Sequence, residues 1–292
     1  MASNNIRGSL PTELGRTSNL EELMLNDNEF GHSFKYESGV DIEGDSDNAN
    51  IRGYNTYKGI PTELGKLKEL KRLDLSCNDG VGGRIPSTLG NLSKLEYLNM
   101  TGVGLRGQIP EELGNLKNLE ALLLGENDYL TGAIPTGIFH EKLRLLYLEL
   151  NELTGTISTE IGNAVGLKKL WLCGNKLEGE ASYEYLICFI HDIPSTETTK
   201  PYPSIICISG PIPSEIGNVV GLDQLILYSN GLTSTLPESI GNLVQLVDLD
   251  LSVNVSLWSV SCLDSFVNDH VLNSFILLAR CLRESSQLLW GT

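Results

Sequence analysis

A leucine-rich phrase recurs along the chain and constrains its fold more than any other feature. In its clearest copy, LEALLLGENDYLTGAIP from Leu119 to Pro135, leucines stand at positions one, four and six, and Asn127 stands at position nine. The same phrase begins at seven further leucines: Leu20, Leu70, Leu95, Leu143, Leu167, Leu222 and Leu246. A fixed period of this length indicates a repeat architecture, in which each unit buries its apolar face only against its neighbours.

The order of residues inside the phrase predicts one short strand per repeat. Leu122 and Leu124 alternate with Ala121, Leu123 and Gly125, which is the period of a strand with one buried face. Stacked about 4.8 Å from its neighbours, each strand would form one rung of a parallel sheet.

The asparagine at position nine is expected to serve the turn that follows the strand. Its amide carries both donors and acceptors, so it can satisfy backbone groups that lose water where the chain turns inward. It recurs seven times, at Asn28, Asn78, Asn127, Asn151, Asn175, Asn230 and Asn254. Val103 replaces it in one repeat, and we expect a weaker turn there.

These residues resemble the plant-type leucine-rich repeat, LxxLxLxxNxLxGxIPxxLGxL. The match is close in NLSKLEYLNMTGVGLRGQIPEELG and in NLKNLEALLLGENDYLTGAIP, and it covers about two thirds of the chain. The resemblance implies an α/β solenoid: a right-handed arc with a parallel inner sheet of eight strands and short 3-10 turns outside. It also implies that the inner surface binds proteins or peptides, as in receptor-like kinase ectodomains and polygalacturonase inhibitors.

Two intervals between successive position-nine residues, with Val103 counted among them, are too long for one repeat. Most intervals are 24 or 25 residues, whereas Asn28 to Asn78 spans 50 and Asn175 to Asn230 spans 55. Removing the 31 residues 180–210 from the longer interval leaves 24 and restores the motif. We therefore predict an insertion at 180–210.

The shorter of the two long intervals predicts a second insertion, at about 31–56. A degenerate repeat with Val40 and Ile42 as its strand is the alternative. The solenoid would then extend over 1–254 with both insertions inside it. The insertion at 180–210 could be a loop covering part of the inner face, a flexible segment, or retained non-coding sequence, whereas we interpret the insertion at about 31–56 as a solvated acidic loop.

The tail, residues 255–292, follows a different pattern. Its apolar residues recur in steps of mostly three or four, which is typical of an amphipathic helix: Leu263, Val267, Val271, Phe275, Leu278 and Leu282. We predict a C-terminal helix that caps the last leucines. A non-repeat tail is the alternative.

The candidate ligand-binding residues lie on the inner face of the predicted sheet. Position five of successive repeats carries Met24, Asp74, Asn99, Leu123, Tyr147, Trp171, Ile226 and Asp250. The middle of this row is an apolar stripe from Leu123 to Ile226, with Tyr228 beside it and Lys169 at its flank. Such stripes mark interaction sites, and Trp and Tyr dominate binding hot spots. The alternative is that the insertion 180–210 folds over the stripe and buries it.

Charge and motifs exclude several classes of function. A formal charge of −16 disfavours nucleic acid and anionic membranes as partners. No apolar run is long enough to cross a bilayer, so we expect no membrane insertion by this chain. We find no phosphate-binding loop, nucleophile elbow or complete set of metal ligands, since Cys188, His191 and Cys207 lack a fourth ligand. We expect no enzyme, no cofactor and no metal.

The cysteines do not form a disulfide framework. Cys77 and Cys173 lie four repeats apart, about 20 Å, so they should be free thiols. Cys188 and Cys207 could pair. Met1 runs straight into the second half of a repeat, so we expect no signal peptide, and either a fragment or a frayed first turn. The family resemblance implies an extracellular or membrane-tethered location.

The sequence therefore predicts a protein- or peptide-binding module that uses the inner face of a solenoid. The resemblance narrows this to the ligand-binding part of a receptor-like protein. A secreted inhibitor of a cell-wall-degrading enzyme and a structural or intracellular scaffold are the alternatives. The partner and the oligomeric state are left open.

Overall fold

The computed structural model describes residues 4–31, 59–127, 129–175 and 208–257. Their strands, in chain order, are β1 (Arg7–Gly8), β2 (Glu22–Met24), β3 (Glu29–Phe30), β4 (Arg72–Asp74), β5 (Tyr97–Asn99), β6 (Arg106–Gln108), β7 (Ala121–Leu123), β8 (Tyr129–Gly132), β9 (Leu145–Tyr147), β10 (Glu152–Leu153), β11 (Gly155–Thr156), β12 (Lys169–Trp171), β13 (Ile208–Gly210), β14 (Gln224–Ile226), β15 (Asn230–Ser234), β16 (Asp248–Asp250) and β17 (Asn254–Leu257). The helices described are all 3-10 turns: Thr12–Arg16, Thr62–Lys66, Ser87–Asn91, Glu111–Asn115, Thr136–Ile138, Thr159–Asn163, Ser214–Asn218 and Glu238–Asn242.

Eight of these strands form one parallel inner sheet, with one strand from each repeat. Its order is β2-β4-β5-β7-β9-β12-β14-β16, which is the order of the repeats along the chain. The leucines at position four pair directly from strand to strand, as in Leu98 with Leu122 and Leu146 with Leu170. The predicted solenoid and its strand register are therefore confirmed.

The core is a continuous stack of leucines behind this sheet. Leu122, Leu146 and Leu170 are completely buried. The leucines at position one of the same repeats are completely or almost completely buried. Burying one leucine side chain contributes about 2 kcal/mol, but a three-residue strand alone has nothing to bury it against. Each repeat thus depends on the two repeats beside it.

A ladder of buried asparagines closes the turns after the inner strands. The Asn127 side-chain NH₂ donates to the Leu124 carbonyl of its own repeat and to the Met100 carbonyl of the preceding one, both at 2.9 Å. Its carbonyl oxygen accepts from the Leu105 backbone N–H at 2.9 Å. One side chain thus satisfies backbone groups of two repeats that water cannot reach.

Within the described residues, Val103 interrupts this ladder. The Leu124 and Leu148 carbonyls each accept two asparagine NH₂ groups, one from their own repeat and one from the following repeat. The Leu75 and Met100 carbonyls, on either side of the Val103 turn, each accept only one. The interruption follows from the missing amide, while a weaker turn at Val103 stays a prediction.

The outer face is a column of 3-10 turns. All but one of those described follow a proline in extended conformation; Ser158 takes that place in the exception and accepts a hydrogen bond from the Glu160 backbone N–H. A Cβ added to Gly90 would lie 2.2 Å from the Glu112 carbonyl oxygen of the next turn. Glycine is needed there because the turns stack backbone against backbone.

The structure corrects the C-terminal boundary of the insertion predicted at 180–210. Strand β13 (Ile208–Gly210) pairs with β11 and β15, so the solenoid resumes at 208 and not after 210. Spacing could not separate these possibilities, because LEG at 177–179 and ISG at 208–210 fit the motif equally well. Removing residues 177–207 also removes 31 residues.

The interval between Asn28 and Asn78 adds no strand to the inner sheet between β2 and β4. Strand β2 pairs directly with β4, and the Asn78 side chain donates to the Leu25 carbonyl at 2.9 Å. The alternative of a degenerate repeat inserted there, with Val40 and Ile42 as its strand, is therefore wrong. Those two residues themselves lie outside the described part of the chain.

The solenoid also extends beyond the predicted end at Asn254. Strand β17 continues to Leu257 and pairs with β15 beside the inner sheet. The predicted C-terminal helix and the cysteines at 188, 207, 262 and 281 lie outside the described residues. Cys77 and Cys173 are free thiols, the first exposed and the second buried. No helix among the described residues is long and apolar enough to cross a membrane.

Replacing Asn127 by alanine tests the ladder. We expect Asn127→Ala to lower the free energy of unfolding by roughly 2–4 kcal/mol, because several buried backbone groups lose their partner. Asn118→Ala is the matched control, since Asn118 is only half-buried, donates to the Ser93 carbonyl and accepts from the Lys142 ammonium. Urea denaturation measures both variants, and equal small losses would contradict the ladder's role.

Replacing Gly90 by alanine tests the packing of the outer turns. We expect a loss of about 1–3 kcal/mol, because the added methyl group must push two backbones apart. Gly221→Ala is the control, since its Cβ would lie 2.9 Å from the end of the Lys168 side chain and no closer than 3.9 Å to the Val165 backbone. If thermal unfolding shows that both variants melt alike, close backbone stacking is not what requires Gly90.

Candidate functional site

The sheet brings the four predicted stripe residues together on adjacent rungs. Leu123 pairs with Tyr147, Tyr147 with Trp171, and Trp171 with Ile226. All four are half-buried, because each covers part of its neighbours while its outer side stays on the inner face. Their alignment follows from the buried leucines on either side of them, which fix the register.

The two aromatic rings at the centre stack on each other. The ring centroids of Tyr147 and Trp171 lie 4.4 Å apart with an angle of 9° between the planes. The Trp171 indole N–H is buried and has no hydrogen-bond partner in the described part of the chain. The pair offers a rigid, flat apolar surface with a donor at its edge.

Tyr228 lies beside the stripe, two repeats further along the sheet than Tyr147. Its hydroxyl donates to the thiol of Cys173, and burial together with this hydrogen bond raises the pKa of Tyr228 to about 12. Burial likewise raises the pKa of the Cys173 thiol. Both groups therefore stay neutral at physiological pH and act as contact surface, not as nucleophiles.

Lys169 lies at the edge of the stripe, as predicted, and is the first residue of β12. It pairs with Leu145 on one side and Gln224 on the other, and it is half-buried. The neighbouring bases are tethered: Lys168 donates to the Gly221 carbonyl at 3.0 Å, and Arg144 lies 3.8 Å from Glu120. This edge of the site carries three bases together with the carboxylates of Glu120, Asp223 and Asp248.

The structure adds Leu150, which the sequence did not indicate. Position eight has a positive φ in every described repeat, and Leu150 holds this left-handed conformation at φ 53°. Its side chain is 49% exposed and leans over Gly174, where an added Cβ would lie 2.8 Å from a Leu150 methyl group. An exposed leucine in a conformation that costs about 1–2 kcal/mol extends the apolar surface sideways from the stripe.

The structure also adds Glu149, at position seven between Tyr147 and Leu150. Its carboxylate lies over Gly125, whose missing side chain leaves room for it: a Cβ on Gly125 would be 2.4 Å from Oε1. Burial raises the pKa of Glu149, and the nearby Glu126 carboxylate adds to this rise. The sequence signal for this placement was a glycine at position seven of the preceding repeat.

At the N-terminal end of the inner face, polar and charged residues contact one another. Asp74 is buried and accepts from the Ser76 hydroxyl at 2.6 Å. The Arg72 guanidinium lies over the Tyr97 ring, 4.4 Å from its centroid. The inner face thus has a self-satisfied polar half and an apolar half.

Chemically, the apolar half is suited to binding. It offers an aromatic surface, an indole donor and a carboxylate without a cation. In the ranges that the structure describes, no group of three or more His, Cys, Asp and Glu side chains could hold a metal ion.

Comparison with known proteins places these features in a family. The family model described as Leucine Rich Repeat matches residues 69–92, 94–116 and 221–243. Receptor-like protein 39 of Arabidopsis thaliana is 28% identical over 193 residues, which is 66% of this chain and 19% of that protein. The chain thus spans about a fifth of the length of this curated relative.

Two solved structures are similar over most of the chain. The Arabidopsis receptor kinase HAESA, in complex with the peptide hormone IDA and the co-receptor SERK1, has a TM-score of 0.61 and 28% identity, over 86% of this chain and 32% of that one. The plant peptide hormone receptor RGFR1, in complex with RGF2, has a TM-score of 0.59 and 29% identity, over 87% of this chain and 35% of that one.

The repeat phrase, the eight-stranded parallel sheet and these similarities agree with one another. The chain contains leucine-rich repeats that form a solenoid, and it is similar to plant receptor-like proteins.

Proposed function

We propose that this chain is a protein- or peptide-binding module and that its ligand contacts the C-terminal half of the inner face. The observation that carries the proposal is the stacked pair of Tyr147 and Trp171 on that face. Nothing in the repeat motif requires aromatic residues at position five, since its other members there include Asp74, Asn99 and Asp250. The ligand-binding residues would be Leu123, Tyr147, Lys169, Trp171, Ile226 and Tyr228, extended by Leu150.

The energetics of the pair favour a binding role over a structural one. Two large rings held half-buried on a rigid sheet present contact area at little further entropic cost. The buried indole N–H of Trp171 has no partner among the described residues. An unsatisfied buried donor costs free energy that a ligand acceptor would recover.

The comparisons support a narrower proposal, that the module is the ligand-binding part of a receptor-like protein. The relative named above is a receptor-like protein, and both solved neighbours are plant receptors captured with peptide hormones. This chain covers about a third of each neighbour, so the complete receptor would contain further repeats or domains. The proposed ligand is a peptide or an extended segment of a protein.

Replacing Trp171 by alanine tests this site. Peptides are first selected for binding to the immobilised chain from a random displayed library, and the best is measured by calorimetry. We expect Trp171→Ala to weaken its affinity by about fivefold or more, the loss typical of a hot-spot aromatic residue. The melting temperature should fall modestly, because a stacked pair contributes only about 0.5–1.5 kcal/mol.

Tyr97→Ala is the matched control. It removes a half-buried ring from the same sheet, stacked on Arg72 and outside the stripe. It should lower stability by a similar amount and leave the affinity unchanged. Equal affinities for the Trp171 variant and the unaltered chain would refute the site, and the absence of any selected peptide would refute the proposed function.

A further inference from the structure

From the placement of Glu149 we infer the chemical class of the ligand: a peptide that sets an arginine or lysine side chain against this carboxylate, beside the aromatic pair. The inference rests on the proposed function and deepens it. Four features of the structure support it: the position of Glu149, its missing partner, the charge around it and its cost to the fold.

Glu149 stands at the border of the proposed binding surface. It follows Tyr147 by two residues, so both side chains lie on the inner face of one rung. The next rung is fixed beside it, since the Leu150 backbone N–H donates to the Cys173 carbonyl at 2.9 Å. A ligand side chain that crosses the Tyr147 ring would meet the Glu149 carboxylate next.

This carboxylate has no cation paired with it among the described residues, and its hydrogen bond comes from its own backbone. In the described part of the chain, the buried Oε2 atom of Glu149 accepts no hydrogen bond. Among the other described acidic side chains of the inner face, Glu21 lies 2.7 Å from the Lys71 ammonium and Asp248 accepts from the Gln224 amide at 2.6 Å, whereas Asp223 also has one buried oxygen without a partner. A half-buried carboxylate oxygen without a donor is costly, and a ligand cation would relieve that cost.

The charges nearby favour a cation and not an anion. The carboxylate of Glu126 lies close enough to raise the pKa of Glu149, and it is exposed on the same edge. The bases of the site, including Lys169, stand on the other edge, four residues along the strand or about 13 Å away. The Lys169 edge carries both bases and carboxylates, among them Asp223 and Asp248, whereas the charged side chains described at the Glu149 edge, Glu126 and Glu149, are both acidic.

Glu149 does not serve the stability of the fold. Its pKa is raised in the folded state by burial and by Glu126, so folding favours the protonated form. At neutral pH the carboxylate is ionised, and this form opposes folding; the penalty disappears as the pH falls below the unfolded-state pKa. A neutral amide at this position should leave the protein as stable at pH 7 or make it more stable.

A charge-exchange experiment tests the inference. The probe is the tightest peptide selected from the random library, together with a copy in which each arginine is replaced by citrulline and each lysine by norleucine. We expect the neutral copy to bind the unaltered chain about tenfold more weakly or worse, since hydrogen bonds between charged groups are the strong ones. With Glu149→Gln the two peptides should bind equally.

Lys169→Gln is the matched control, because it removes a charge from the opposite edge of the same site. This variant should keep the full preference for the charged peptide. Glu149→Gln should also melt at pH 7 no lower than the unaltered chain. A preference that survives in Glu149→Gln, a best peptide without arginine or lysine, or a clear loss of stability in this variant would overturn the inference.

The outcomes separate this inference from the proposed function. Peptide binding that depends on Trp171 but not on Glu149 would leave the binding module in place and remove the cationic ligand. Binding that depends on neither residue, or no binding at all, would remove both.

Discussion

Contact between consecutive turns is the constraint on which the whole molecule depends. A three-residue strand cannot bury its leucines or satisfy its backbone alone, and each turn obtains both from the turns beside it. The leucines meet behind the inner sheet, while asparagine side chains join the carbonyls of successive turns, as Asn127 joins Leu124 and Met100. Where Val103 replaces the asparagine, the leucine packing continues without the amide.

The binding surface follows from the same constraint. Because the buried leucines fix the register, the residues between them are placed in rows without any contacts of their own. Evolution can then change a row one repeat at a time, and here the row at position five turns from polar to aromatic between Asn99 and Tyr147. The rigid stack supplies the preorganisation that a loop-based site would lack.

The sequence was sufficient for everything that depends on periodicity. The spacing of leucines and amides was enough to predict the eight strands, their register and the buried asparagines. The same side-chain pattern recurs in successive repeats, so each copy supports the interpretation of the others. The stripe from Leu123 to Ile226 followed from register alone. Spacing failed at the end of the second long interval, because residues 208–210 fit the motif as well as residues 177–179 do. Only the pairing of β13 with its neighbours settles which copy enters the sheet.

Leu150 and Glu149 could not be identified from the sequence, because their roles depend on conformation. The exposure of Leu150 results from a positive φ and from a glycine in the next repeat. Glu149 can lie flat only because Gly125 has no side chain. Both are relations between neighbouring repeats at variable positions, and a glycine at position seven permits the placement of Glu149 without predicting it.

The central claim is that the inner sheet is continuous across both long intervals, and amide hydrogen exchange tests it most directly. The Leu25 N–H donates to the Asp74 carbonyl at 2.8 Å, and the Leu172 N–H to the Ile226 carbonyl at 3.0 Å, each across one such interval. Both amides should exchange as slowly as that of Leu124, which bonds to Tyr147 between two regular repeats at 2.8 Å. Fast exchange at Leu25 or Leu172, with slow exchange at Leu124, would show that the stack is broken there and would contradict the account.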